Sequence, residues 1–365
     1  MIVLRTALLA CISLAFVVCL AAGDSSPQAG KGKKPSEVWT DVNDPTLPPD
    51  YKIQGEYAGE IQNGGKLGCQ VIALGKGAFQ AVVLPGGLPG DGWDGKDKIL
   101  LDGKLEGVKA FFTAATGKKQ YLAQAPAAFS ATSKFPPPGQ KEYTATANGD
   151  TLAGKTEDGR MFELKKVVRK SPTLGAKPPA GAVVLFDGKD TNEWKGGRLD
   201  KENGTLNTDE HDILSKRKFN NYVLHVEFLL PFRPDARGQG RANSGVYMVD
   251  HYEVQVLDSF GLDGKNNECG GIYSKVDPKV NMCYPPLTWQ TYDIDFTNAV
   301  REGDKKVKDA RITLKHNGVV VHDNVAISGP TGGNRSEPEG TPGPIKLQGH
   351  GNPLQYRNIW VVEKP

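Results

Sequence analysis

Glycine-centred turns punctuate this chain, and between them lie short runs in which apolar residues alternate with polar ones. Asn148-Gly149, Asp158-Gly159 and Asn317-Gly318 are the sharpest. Such pairs take the positive-φ positions of the two-residue turn that joins antiparallel strands. Their recurrence restricts the chain to folds made of many short strands. The 44 glycines and 25 prolines among 365 residues point the same way, and no long helical period follows the N-terminus. The formal net charge of +3 is spread over 45 basic and 42 acidic residues of mixed placement. It offers none of the basic stripe by which nucleic-acid binding announces itself.

Residues 1–23 read as an export signal. Arg5 precedes an apolar run from Ala7 to Leu20, which Ala21-Ala22-Gly23 closes with small residues. The run is too short to span a bilayer comfortably, so a periplasmic or extracellular destination is expected and not a membrane span. A lipid anchor on Cys19 is the alternative, and the bulky Val18 before it counts against that. Loss of the signal leaves Cys69, Cys269 and Cys283. An odd number is not a disulfide framework; a Cys269–Cys283 bridge and three reduced thiols both fit. Residues 24–50, with their lysines, glycines and Leu47-Pro48-Pro49, form a linker.

Residues 51–168 form a first, smaller antiparallel β domain. Its strand-like runs include Gln70–Leu74, Ala78–Leu84, Gly107–Phe112, Tyr143–Ala147 and Met161–Leu164. They predict a meander that curves into a small barrel or a bent sheet, with no role indicated. Gly90 to Lys96 has the spacing of a phosphate loop, but Asp97 follows where Ser or Thr is needed, and no strand-to-helix context surrounds it. Residues 169–181 are a second Pro/Gly/Lys linker. Residues 182–365 hold all six histidines. Runs such as Tyr222–Leu230 and Gln290–Phe296 alternate cleanly, which suits a two-sheet sandwich or jelly roll better than a parallel sheet. The fold class is therefore all-β.

The stretch from Asn243 to Asp258 concentrates the chemistry. Val246, Met248, Tyr252, Val254 and Val256 share one parity, broken only by Asp250. Tyr247, Val249, His251, Glu253, Gln255 and Leu257 lie on the other. Alternate side chains of a strand face opposite ways, so one face packs a core while the other presents an aromatic ring, an imidazole, a carboxylate and an amide. Asp250 and His251 also suit a hairpin turn, which makes Glu253 with Gln255 the firmer pair.

At this point residues 182–365 resemble the DUF1080 family, described as the 3-keto-disaccharide hydrolase domain. Val184-Leu-Phe-Asp-Gly-Lys-Asp190 with Trp194, Asn243-Ser-Gly245 and Tyr252-Glu-Val-Gln-Val-Leu-Asp258 carry the resemblance. Gly271-Ile-Tyr273, Trp289, Asn317-Gly318, Gly343 to Gly351 and Arg357-Asn-Ile359 continue it in order. The resemblance implies a concanavalin A-like jelly-roll sandwich and cleavage of glycosides whose sugar carries a ketone at C3. The smaller β domain before it gains nothing from the match. Two loops depart from the pattern: a basic one with Arg233, Arg237 and Arg241, and a Gly/Pro-rich one between Ser328 and Gly343.

A C3 ketone acidifies the C2 hydrogen, so the chemistry asks for a base near C2, an acid at the leaving oxygen and donors for the enolate. Glu253 suits the base, and His350, in a glycine-flanked turn, suits the acid. Asn243, Ser244, Gln255, Gln348 and Tyr273 suit sugar contacts, and Arg241 suits the enolate oxygen. Glu268 and Lys275 are secondary contacts. His225, His316 and His322 read as satisfied strand or turn residues. No metal motif is present and no cofactor is assigned, although a divalent cation is compatible with this chemistry. The expected partner is a 3-keto-glycoside or another carbohydrate. The rival reading is a glycan-binding module or surface protein without catalysis.

Overall fold

The turn residues close the hairpins they predict. Thr144–Ala147 pairs with Thr151–Lys155 around Asn148-Gly149, and Thr151–Lys155 pairs in turn with Met161–Val167 around Asp158-Gly159. Asn317 and Gly318, at φ 51° and 82°, join Ala310–His316 to Val319–Ile327. The computed structural model describes residues 37–365. The expected export signal with Cys11 and Cys19, and the first part of the first linker, lie outside the described residues. Within them the protein is almost all-β. Its one α-helix, Pro49–Ile53, is a single turn opened by proline. No helix among the described residues is long and apolar enough to cross a membrane.

The first β body is a closed eight-stranded antiparallel barrel. In ring order its strands are Gly55–Ile61, Met161–Val167, Thr151–Lys155, Thr144–Ala147, Lys109–Ala114, Ile99–Glu106, Ala78–Pro85 and Lys66–Gly75. Closure removes the unpaired edges that a bent sheet would leave. Cys69, Val71, Ala73, Ala81, Val83, Ile99 and Leu101 fill its interior. The opposite parity of the same strands, Ile72, Leu74, Val82, Leu84 and Leu100, is also buried, but in the core of the second body. Each such side chain contributes roughly 1.5–3 kcal/mol. Burial on both faces is why this part of the sequence reads as a nearly unbroken apolar run.

The second body has two antiparallel sheets, consistent with a jelly-roll-like domain. The larger, of eight strands, runs Arg198–Asp200, Thr205–Asn207, Gln355–Glu363, Tyr222–Leu229, Trp289–Thr297, Ala310–His316 and Val319–Ile327, with Val183–Phe186 also paired to Gln355–Glu363. The smaller runs Trp194–Lys195, Ile213–Ser215, Lys346–Leu347, Ser244–Met248 and Tyr252–Val256. Leu224, Val226, Phe228, Tyr292, Ile294 and Phe296 from one sheet meet Val246, Met248, Tyr252, Val254 and Val256 from the other in a single core.

Both stretches with linker composition lie against this fold. Trp39 is buried and its backbone pairs with Phe232. Residues 171–176 form a strap over the outer face of the large sheet. The Ser171 and Thr291 hydroxyls are 2.6 Å apart, Thr173 Oγ1 donates to Asp293 at 2.6 Å, and the Gly175 N–H donates to Glu227 at 2.5 Å. Cys69, Cys269 and Cys283 are free and buried. The three histidines read as satisfied have partners: His225 with Asp293 at 2.6 Å, His316 with Gln290 at 3.0 Å and His322 with the Gly270 carbonyl at 2.7 Å.

Candidate active site

The alternating stretch folds into a hairpin of Ser244–Met248 and Tyr252–Val256. Val249, Asp250 and His251 form the three-residue turn, the first two at φ 46° and 55°, and the His251 N–H donates to the Met248 carbonyl at 3.0 Å. A three-residue connection leaves paired residues an even number of positions apart and so preserves the parity, and the apolar set enters the core as expected. It also sets Tyr247 directly opposite Glu253 and Gly245 opposite Gln255 on the outer face. His251 closes the turn and is buried, with neither ring nitrogen bonded among the described residues. Burial holds its imidazole down at about 4, with the nearby Arg335 charge adding to the fall.

That outer face is the floor of a cavity of about 280 Å³. Glu253, His350, Asn243, Gln255, Gln348 and Tyr273 all line it, so six of the eight expected residues converge. The other two do not. Ser244 sits on the core parity, where its hydroxyl donates to the Gln348 carbonyl at 2.5 Å and lies 2.7 Å from the Tyr356 hydroxyl. It fixes the strand that carries Gln348 and is not a sugar contact. Arg241 is buried and turned away: its Nε donates to Asp258 at 2.6 Å and its Nη1 to the Ala73 carbonyl of the barrel at 3.1 Å. The enolate role expected of it is therefore not available.

The cavity also contains residues that pattern reasoning missed. Gln239 comes from the basic loop, and Gly332 and Gly333 come from the Gly/Pro-rich loop. Both loops depart from the family pattern, and that departure was the only available signal. Gln239 Oε1 accepts from Asn243 Nδ2 at 3.1 Å and from Gln255 Nε2 at 3.0 Å, and its own Nε2 donates to the Asn267 carbonyl at 2.8 Å. The amide of Gln255 is thus spent on holding Gln239. The first body grips the basic loop and the loop that follows Asp258. Arg237 Nη2 donates to the Leu74 carbonyl at 2.8 Å, and the Tyr121 hydroxyl donates to Glu268, which caps the N–H groups of Gly264 and Lys265. Glu268 is thus a loop anchor.

Glu253 is only 2% exposed. One oxygen accepts from the Tyr247 hydroxyl at 2.8 Å, and the Tyr247 oxygen also accepts from Gln348 Nε2 at 3.3 Å. Gly245 makes room for the other oxygen, since a Cβ there would lie 2.2 Å from Glu253 Oε1. Lys346 is fixed behind Tyr247, its Nζ 3.9 Å from the ring centroid and 2.6 Å from Asp250. Burial pushes the Glu253 carboxyl up to about 7; the Tyr247 hydrogen bond and the Lys346 charge restrain the rise, and Asp212 adds to it. A carboxylate poised near neutrality in a cavity has the properties of a general base. Beside it, Asn243 Oδ1 is buried without a hydrogen-bond donor among the described residues. Such an acceptor costs about 1–3 kcal/mol and suits a ligand hydroxyl. His350 stands exposed at the rim. Among the described residues no group of three or more His, Cys, Asp or Glu is placed to hold a metal ion.

Residues 181–362 match the model of the 3-keto-alpha-glucoside-1,2-lyase-like domain. Three crystal structures of candidate glycosyl hydrolases from Parabacteroides distasonis are also similar. The first shares 31% identity and a TM-score of 0.45, covering 51% of this chain and 85% of that one. The second shares 18% identity and a TM-score of 0.38, covering 51% of this chain and 95% of that one. The third shares 22% identity and a TM-score of 0.36, covering 50% of this chain and 99% of that one. Comparison with curated proteins finds no match. The family points to a carbohydrate-active enzyme. Residues 181–362 of this chain belong to the 3-keto-alpha-glucoside-1,2-lyase-like family, and the region before them is unassigned.

Proposed function

We propose that this protein is an exported enzyme that cleaves 3-keto-glycosides by proton abstraction, elimination and rehydration, with Glu253 as the base. The observation that carries the reading is the Glu253 carboxyl itself, buried in a cavity, raised to about 7 and held by a single hydroxyl. Glu253 takes the proton from C2, and the C–H electron pair becomes the C2=C3 bond of an enolate. Collapse of the enolate restores the C3 carbonyl, forms C1=C2 and expels the oxygen at C1, which His350 protonates. Water then adds its oxygen to C1 and a proton to C2, giving the free 3-keto sugar. Gln348 and Tyr273 supply donors to the enolate oxygen, and Asn243 Oδ1 accepts from a sugar hydroxyl.

The test is incubation of the protein with a 3-keto-disaccharide in deuterium oxide. Release of monosaccharide with deuterium at C2 is expected. No release by the parent protein overturns the enzymatic reading, and release without label overturns the elimination route. Fractionation of cells expressing the tagged full chain checks export, which rests on the apolar stretch from Ala7 to Leu20.

A further inference from the structure

A second cavity, of about 440 Å³, lies on the outer face of the large sheet, on the other side of the sandwich from Glu253. Its floor is set by the ladder. Leu229 ends its strand opposite Trp289 on one side and Gln355 on the other, and Gln355 pairs in turn with Asn207. The strap of residues 171–176 covers Thr291, Asp293 and Glu227 of this same face. The end that carries Trp289 lies beyond it, and residues 40–42 roof that end.

The lining combines an aromatic wall with polar groups of both kinds. The Arg357 guanidinium lies 3.9 Å from the Trp289 ring centroid and fixes the indole. Among the described residues only its Nε is spent, on Glu227 at 2.7 Å, which leaves the terminal nitrogens as donors at the cavity. Gln355 is held by the Thr40 carbonyl at 2.8 Å. Asn207 adds an amide, and Asp41 and Asp200 add carboxylate acceptors. Two carboxylates against Arg357 and an Arg198 already paired to Asp209 at 2.9 Å leave no positive field for a phosphate or sulfate. An indole wall flanked by planar amides, carboxylates and a guanidinium matches the alternating C–H faces and hydroxyl edges of a neutral sugar ring.

We infer that this cavity is a second carbohydrate-binding site, which takes neutral sugar units of a glycan while the Glu253 cavity does the chemistry. The inference rests on the reading that the protein acts on carbohydrate, but the two fail separately. The experiment titrates the full chain with maltoheptaose, cellohexaose and xylohexaose, followed by calorimetry and by tryptophan fluorescence. At least one is expected to bind, with a fluorescence change. Glu253→Gln is expected to keep that binding, and Trp289→Ala to weaken it at least tenfold. Asn207→Ala, which leaves the Trp289–Arg357 stack in place, is expected to weaken it severalfold and guards against misfolding of the first variant. No binding by the parent overturns the site, as does binding that Trp289→Ala and Asn207→Ala both retain. Binding that follows this pattern without turnover of a 3-keto-disaccharide upholds the site and sinks only the proposed reaction.

Discussion

Glu227 and Glu253 are both buried glutamates on the outer face of a strand, and their surroundings send them in opposite directions. Glu227 lies under the strap and accepts from Arg357 at 2.7 Å, Asn358 at 2.9 Å and the Gly175 N–H at 2.5 Å, with His225 at 3.5 Å. Burial pushes its carboxyl up, but the bonds from His225, Asn358, Arg357 and Gly175 outweigh it and hold the group at about 2. Glu253 has one hydroxyl, and burial prevails. A buried acid on an alternating strand is therefore not a site in itself. The number of donors around it decides whether it is a fixed charge or a group able to move a proton.

That contrast can be broken by substitution. Glu253→Gln is expected to lower kcat about 10³-fold on a 3-keto-disaccharide; a variant with near-parental turnover removes Glu253 from the chemistry. Glu227→Gln is expected to cost stability instead, roughly 3 kcal/mol by urea unfolding at pH 7. Because the folded-state value of Glu227 is depressed, its contribution is complete above the ordinary carboxylate range and is lost as pH falls towards about 2. The gap between variant and parent should therefore close in acid; a gap that persists there denies the ionised network.

Gly245→Ala places a Cβ against Glu253 Oε1 and is expected to lower kcat about 10²-fold, since the carboxylate must swing aside. Unchanged turnover would mean that the carboxylate position is not critical. The smallest expected effect is on pH. Catalysis needs Glu253 ionised, so kcat/KM should rise with pH through a midpoint near 7. The Tyr247 hydrogen bond lowers that value, so Tyr247→Phe should move the midpoint upward. A downward move, or no acid limb in the parent, contradicts the assignment.

Much of this arrangement was legible because period-2 patterning is a local property. The apolar parity of Val246, Met248, Tyr252, Val254 and Val256 placed Glu253 and Gln255 on the other face without any tertiary information. Gln348 and His350 came from the family resemblance. What stayed hidden depends on distant segments. The polar parity of Tyr222–Leu229 and Trp289–Thr297 has the pattern of a solvated face, yet a stretch with linker composition covers it. Arg241 has the properties of an anion-stabilising residue until Asp258 and a barrel carbonyl 168 positions away take its Nε and Nη1 donors and turn it from the cavity. Gln239 sits in a loop with no period at all. Barrel closure is also invisible locally, since a meander of the same strands would show the same alternation.

The turn beneath Glu253 bears on the order of folding. Val249 stands at φ 46°, a conformation that a β-branched residue adopts only under constraint, so this hairpin has little reason to close by itself. The constraint arrives from far along the chain. The Thr331 and Arg335 N–H groups donate to the carbonyls of His251 and Asp250 at 2.9 and 3.0 Å, and the Glu253 N–H donates to Thr331 Oγ1 at 3.0 Å. The strand that bears the carboxylate is thus held partly by its hairpin partner and partly by a residue 80 positions downstream of His251, a contact of high sequence separation that is slow to form. All the barrel strands lie before residue 168, whereas part of what holds the strand that bears Glu253 is supplied only by the segment around Thr331.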